Sequence, residues 1–171
     1  AGQRQGRAHN PPLTSFVGNI QQLTFRINDY VFGNYELMHE YAQGTDLLPH
    51  IHMVTNGVDG TDRAVRWELE YSISNGGAHA PYTEAFPEAT IITGQTIIPA
   101  NTPDRSHIIA IDFPAIPGAG LLIGAYIAYR IRRVAVVGAT EPSSNPFGLT
   151  LGFHVLQDTQ GSDSVGSKTI V

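Results

Sequence analysis

Two histidines stand two residues apart, His50 and His52, inside the apolar run 48–54. In a β-strand, side chains at positions i and i+2 lie on the same face. Imidazoles bind transition metals, so the pair could hold a metal ion together with a histidine from a distant strand. His154, in the apolar segment 149–156, is the candidate for that third ligand. The alternative interpretation is that the histidines are neutral and hydrogen-bonded within a β-sandwich or at its rim.

Gly44 precedes the histidine pair with the spacing Gly-x5-His-x-His, which resembles the opening of the first cupin motif. Cupins are double-stranded β-helix proteins that hold a metal inside a barrel. The resemblance implies a metal-binding enzyme that uses the two histidines and His154. The cupin pattern continues with a glutamate four or five residues after the second histidine, but Asn56 and Gly57 stand there. We therefore expect no metal and no cofactor, and a cupin-like enzyme stays an alternative.

Other catalytic patterns are missing from the sequence. No serine lies in a Gly-x-Ser-x-Gly elbow, and the chain has no cysteine to act as a nucleophile or thiolate ligand. A glycosidase needs two carboxylates in a cleft. Glu36, Glu40, Glu68 and Glu70 instead alternate on the outward faces of predicted strands. We therefore expect the protein not to be an enzyme.

Arg130, Arg132 and Arg133 form a basic cluster, and the first two share a strand face. One hypothesis is that the cluster binds an acidic neighbour or a neighbouring subunit. The other is that these arginines pair with Glu68 or Glu70 across the sheet. Both hypotheses place the cluster on a strand of the predicted sheet.

Alternating apolar and polar residues between turn signals predict a chain made of strands. The clearest alternation puts Val65, Trp67, Leu69 and Tyr71 on one face, so Trp67 is predicted to lie in the core. Further strands are predicted at 23–28, 35–41, 48–55, 90–99, 106–113, 121–137 and 149–156. No window has convincing helical periodicity. The predicted fold is all-β, a jelly roll or a related antiparallel β-sandwich.

The 171 residues suit one domain with extended ends. Residues 1–18 are rich in Gly, Gln, Asn and Pro and are predicted to form an extended N-terminal arm. Arg4 and Arg7 in that arm are candidates for contacts with a partner. Residues 19–157 are predicted to form the β-sandwich, and residues 158–171 an irregular C-terminal tail rich in Gly, Ser and Asp.

Composition limits the possible partners. Charged residues make up 15% of the chain, against about 25% in a typical protein. A surface low in charge is typical of one that is covered by partner chains, and a secreted β-protein is the alternative with the same bias. The net charge of −5 argues against nucleic acid as a partner. The longest uncharged run, 113–129, is interrupted by prolines and glycines, so we expect no membrane-spanning helix.

Three segments together resemble small β-sandwich virion proteins of tailed bacteriophages. They are Pro49-His50-Ile51-His52, the strand 65–71, and the ending 152–163 with its Phe-His, Asp and Gly-Ser residues. The resemblance implies a non-enzymatic head decoration or cement protein, made in the host cytoplasm and bound to the capsid surface. Its implied partners are the major capsid protein and further copies of itself, with a trimer favoured. A tail-associated or receptor-binding module is the alternative. Arg4, Arg7, Arg130, Arg132 and Arg133 are the candidate partner-binding residues.

Overall fold

The computed structural model describes residues 9–76 and 84–158, and these residues form nine β-strands and no α-helix. The strands are β1 (Leu13–Val17), β2 (Ile20–Thr24), β3 (Tyr30–Glu36), β4 (Leu48–Val54), β5 (Arg63–Ser74), β6 (Thr90–Ile98), β7 (His107–Ala110), β8 (Tyr126–Val134) and β9 (Phe147–His154). The all-β prediction is confirmed. No helix in the described residues has the length and apolar character needed to cross a membrane.

The strands form two antiparallel sheets whose order is that of a jelly roll. One sheet has five strands in the order β1-β2-β9-β4-β7, and the other has four in the order β3-β8-β5-β6. From β2 onward the chain supplies eight strands, four to each sheet, and most connections cross from one sheet to the other. β1 adds one edge strand beside β2. The two chain-distant strands β4 and β9 become neighbours at the centre of the five-stranded sheet.

The core lies between the two sheets and is built from alternate residues of their central strands. On β5, Val65, Trp67 and Leu69 are at most 1% exposed, and the Trp67 ring meets that of Phe25 edge to face at 5.2 Å. On β4, Ile51 and Met53 are buried in the same way. Burying each such side chain fully contributes roughly 1.5–3 kcal/mol. The prediction that Trp67 belongs to the core is confirmed.

The sheet begins earlier than the sequence predicts. β1 lies inside the range 1–18 expected to be an extended arm, and it pairs with β2 through a hairpin that turns at Gly18, whose φ is +55°. Thr14 and Phe16 are half-buried while their neighbours on the strand are exposed. The apolar signal is weak because an edge strand buries only one face. Arg4 and Arg7 lie outside the described residues, as does most of the predicted tail.

Two predicted strands are displaced along the chain. β2 and β3 begin before the predicted segments 23–28 and 35–41 and overlap only their first two residues. A turn at Asn28, whose φ is +75°, separates them. Leu37 and Tyr41 alternate as in a strand, but both are buried after β3 has ended. Alternation alone does not distinguish such buried loop residues from a strand.

Candidate functional site

β4 directs His50 and His52 to the outer face of the five-stranded sheet. Ile51 and Met53, which alternate with them, point into the core. β7 lies on one side of β4 and β9 on the other, both antiparallel to it. Whatever these neighbours place on their outer faces therefore meets the two histidines.

Both neighbours place a histidine there, and the four rings form a continuous row. His52 Nδ1 lies 2.8 Å from Nε2 of His107 on β7, and His52 Nε2 lies 3.0 Å from His50 Nε2. The His50 ring then meets that of His154 on β9, with 4.2 Å between ring centroids and 75° between ring planes. We call His107, His52, His50 and His154, in this spatial order, the histidine row.

A glycine on β9 makes room for the row. Gly152 pairs directly with His50. A Cβ atom at position 152 would lie only 2.7 Å from His50 Nε2, well inside van der Waals contact. The His50 ring therefore occupies the space that any other residue at 152 would fill with its side chain. As a result His50 is only 7% exposed although it lies on the outer face.

The environment of the two central rings favours their neutral form. Burial lowers the pKa of His50, and the neighbouring His154 and His52 lower it further, against a smaller opposing effect of the Leu48 backbone. Burial also lowers the pKa of His52, with additional contributions from His107 and His154. Burial disfavours a charged imidazole, and nearby imidazoles repel a second positive charge.

The row is not a metal-ligand cage in this geometry. The structure brings together the metal candidates His50, His52 and His154 and adds His107. Yet within residues 9–76 and 84–158 no group of three or more His, Cys, Asp or Glu side chains is arranged to hold a metal ion. The row also lies on the outer face of the sheet, whereas the cupin resemblance implies a site inside the barrel. Here that interior holds the core residues Trp67, Ile51 and Met53.

Arg130 and Arg132 lie on the outer face of the other sheet and are paired across strands. Arg130 Nη2 lies 2.7 Å from Glu70 Oε2 and 3.4 Å from Glu68 Oε1. Arg132 Nη2 lies 2.9 Å from the other carboxylate oxygen of Glu68. The structure therefore contains the ion pairs between neighbouring strands that the second sequence hypothesis described. We call these four residues the arginine–glutamate row.

Arg133 differs from its neighbours and requires a correction to the sequence interpretation. It points to the opposite face of β8 and is 1% exposed. Its guanidinium donates hydrogen bonds to the Phe25 carbonyl at 2.6 Å, to Asn145 Oδ1 at 2.8 Å and to Glu141 Oε2 at 2.6 Å. A side chain so placed cannot contact a partner at the surface. The physical reason is the two-residue period of a strand, which separates Arg133 from the face shared by Arg130 and Arg132.

Sequence reasoning missed two residues of the site, His107 and Gly152. His107 begins an alternating segment, so its face was predictable, but its position beside His52 depends on strand pairing. Gly152 belongs to a segment with no turn signal, and a glycine inside a strand often marks a close approach of another group. That rule was the one signal by which Gly152 could have been found.

Comparisons with known proteins add no relative. No family model matches the chain, and no curated protein and no solved structure is significantly similar to it. Function is therefore inferred from the strand order, the exposed surfaces and the short motifs of the sequence.

Proposed function

We propose that this protein is a non-enzymatic structural component of a phage virion, a decoration protein that binds the capsid surface and stabilises the head. The observation that carries the proposal is the character of the sheet edges. Exposed edge strands pair readily with other chains, and monomeric proteins usually protect them with charged residues or prolines. Three of the four edge strands, β1, β6 and β7, contain no Asp, Glu, Lys or Arg and expose apolar side chains instead. The fourth, β3, exposes Phe32 and ends at Glu36.

The exposed apolar residues lie on both sides of the sandwich. On one side are β1 and β2, and on the other are the edge strands β6 and β7. Each of these side chains is between 47% and 63% exposed: Leu13, Val17, Ile20, Ile91, Ile97 and Ile109. β1, β2 and β6 contain no charged residue. Apolar patches of this kind are typical of surfaces that other chains cover.

Two apolar sides would allow one copy to contact two neighbours. We favour a homotrimer at the three-fold positions of a capsid lattice, with the N-terminal arm reaching over the major capsid protein. A protein that binds only the assembled shell stabilises it by mass action, in the way that any ligand stabilises the state to which it binds. This role requires no catalytic group.

The self-association part is tested with Ile97→Lys on β6, examined by size-exclusion chromatography with light scattering. We expect the wild-type protein to be oligomeric and the variant to be mainly monomeric, because a lysine at the edge opposes strand pairing. Val137→Lys is the matched control, since Val137 is 64% exposed but lies outside the strands. A monomeric wild-type protein would overturn this part of the proposal.

The capsid-binding part is tested with a deletion of residues 1–8, which removes Arg4 and Arg7 and leaves every strand intact. We expect wild-type protein to co-sediment with purified phage heads at a fixed copy number and the truncated protein to remain in solution. Full-strength binding by the truncated protein would disprove the role of the arm. Binding to purified tails but not to heads would disprove the decoration role and favour the tail-associated alternative.

A further inference from the structure

The five-stranded sheet has an unusual distribution of ionisable groups. Its strands β1, β2, β4, β7 and β9 contain no Asp, Glu, Lys or Arg. The only titratable side chains on these strands are the four members of the histidine row. We propose that the histidine row is an acid-sensitive element, which holds β7 and β9 to β4 while its rings are neutral and weakens that junction when they are protonated.

The proposal follows from the hydrogen atoms that the row requires. A hydrogen bond between two ring nitrogens needs one N–H and one bare nitrogen. Neutral rings satisfy both contacts of His52, because each neutral ring donates once and accepts once along the row. An imidazolium has N–H groups on both nitrogens. Two neighbouring rings that are both protonated would therefore place N–H against N–H at the 3.0 Å or the 2.8 Å contact.

The hydrogen bonds of the row can hold one charge without breaking but not charges on two hydrogen-bonded neighbours. A proton on His52 alone is compatible with both of its contacts, because His50 and His107 can then accept. The two hydrogen bonds join three rings, so at least one of these three stays neutral, whereas all four rings can be charged in the unfolded chain. Charge repulsion across the close His50–His154 ring contact opposes a further proton. The folded protein therefore binds at least one proton fewer than the unfolded chain in sufficient acid, and two fewer where both His50 and His52 stay neutral.

Among the described residues, no strand of this sheet places a carboxylate beside the row to compensate for added charge. The outer-face residues around it are uncharged: Leu48 on β4, Ile109 on β7, and Thr150 and Gly152 on β9. The charged groups nearest along the chain lie in the loops that flank β7 and, in addition, at Asp46 before β4 and Asp158 after β9. Asp46 accepts a hydrogen bond from the Gly118 backbone. Asp104 is paired with Arg105 at 2.9 Å, and Asp112 accepts a hydrogen bond from Thr96.

β7 is the strand that this mechanism would release first. It is four residues long, lies at the sheet edge, and within its sheet pairs only with β4. His107 is the first residue of this strand. Protonation of both His107 and His52 would therefore weaken a β4–β7 pairing to which β7 supplies only four residues. β9, in contrast, is held by β2 as well as by β4.

The sign of the pH effect follows from proton binding. Imidazoles in the unfolded chain take up protons below a pKa of about 6.5. The pKa of His50 and that of His52 are lower in the folded protein, as described above. Between the lowered pKa values of the folded protein and the ordinary pKa of the unfolded chain, the unfolded state therefore binds more protons. The free energy of unfolding rises with pH in this interval and falls as the pH falls. The stability that the neutral histidine row contributes is fully present above about pH 7.

The test is urea unfolding of the full chain at several values between pH 7.5 and 5. Where both His50 and His52 stay neutral in the folded protein, two protons are excluded, and we expect the folding equilibrium constant to fall by up to about 100-fold per pH unit below about pH 6. The double variant His50→Gln/His52→Gln leaves His107 and His154 without a neighbouring imidazole, so its pH dependence should be much smaller. The control His9→Gln removes a histidine outside the row and should retain the wild-type slope.

Equal slopes for the wild-type protein and the double variant would overturn the proposal. If the double variant does not fold, the histidine ring resonances of the wild-type protein can be titrated by NMR. We expect at least two rings to titrate below the ordinary range, with changes at the β4–β7 junction. Four rings that titrate independently near pH 6.5 would also overturn the proposal. Neither measurement depends on whether the protein binds a capsid.

Discussion

The two sheets carry different kinds of polar row on their outer faces. The row on the five-stranded sheet consists of four like groups in contact, three of them joined by hydrogen bonds, with no opposite charge on any strand of that sheet. The row on the four-stranded sheet alternates arginine and glutamate, and each guanidinium faces a carboxylate. Both rows cross neighbouring strands, so both stabilise strand pairing.

The difference between the rows is their dependence on solution conditions. Opposite charges remain ionised across the neutral range and are weakened by salt. Imidazoles are weakened by acid, because their contacts require neutral rings. The molecule therefore has one sheet that should respond mainly to pH and another that should respond mainly to ionic strength. Substitutions in and beside the rows can test this contrast.

The largest effect is expected from Arg133→Met, which removes the buried charge next to the arginine–glutamate row. Phe25, Asn145 and Glu141 would each lose a hydrogen bond from the guanidinium. Breaking a buried ion pair on one side costs about 3–5 kcal/mol. The control Arg132→Met removes a partly exposed charge on the same strand and should cost at most about 1 kcal/mol. Urea unfolding measures both, and equal losses would contradict the assignment of Arg133 to the interior.

A smaller effect is expected from Gly152→Val, which acts on the histidine row without removing a histidine. The new side chain would displace the His50 ring, because even a Cβ atom comes within 2.7 Å of Nε2. Overpacking of this kind costs roughly 1–3 kcal/mol. Thr150→Val lies one outward position away on β9, opposite His52, and should change stability by less than about 0.5 kcal/mol. If Gly152→Val were equally neutral, the close packing of His50 would be disproved.

The smallest effect is expected from Glu68→Gln, in the centre of the arginine–glutamate row. Glu68 contacts Arg130 through one oxygen and Arg132 through the other, and its side chain is 12% exposed. We expect a loss of about 0.5–1 kcal/mol at low salt. In 1 M NaCl the difference from wild type should shrink because of screening. Glu36→Gln on the exposed end of β3 is the control. A loss independent of salt would contradict the contrast between the sheets.

Much of the local structure was predictable from the sequence because a strand has a period of two residues. Alternation correctly placed Trp67 in the core and put His50 and His52 on one face. It also put Arg130 and Arg132 on one face of their strand and Glu68 and Glu70 on one face of theirs, and the pairing of β5 with β8 then set the two pairs opposite each other. Alternation failed at Leu37 and Tyr41, which are buried in a loop, and at β1, whose exposed edge left too little apolar signal.

The sequence by itself determined the all-β class and the face of each strand residue. It also determined that the segments forming the five-stranded sheet contain no Asp, Glu, Lys or Arg. Only the tertiary structure decided which strands are neighbours. That decision brought His107 and His154 to opposite sides of the β4 histidines and set Gly152 beneath the His50 ring. The physical reason is that side-chain direction depends on local backbone geometry, whereas pairing between β4, β7 and β9 depends on how two whole sheets close over one core.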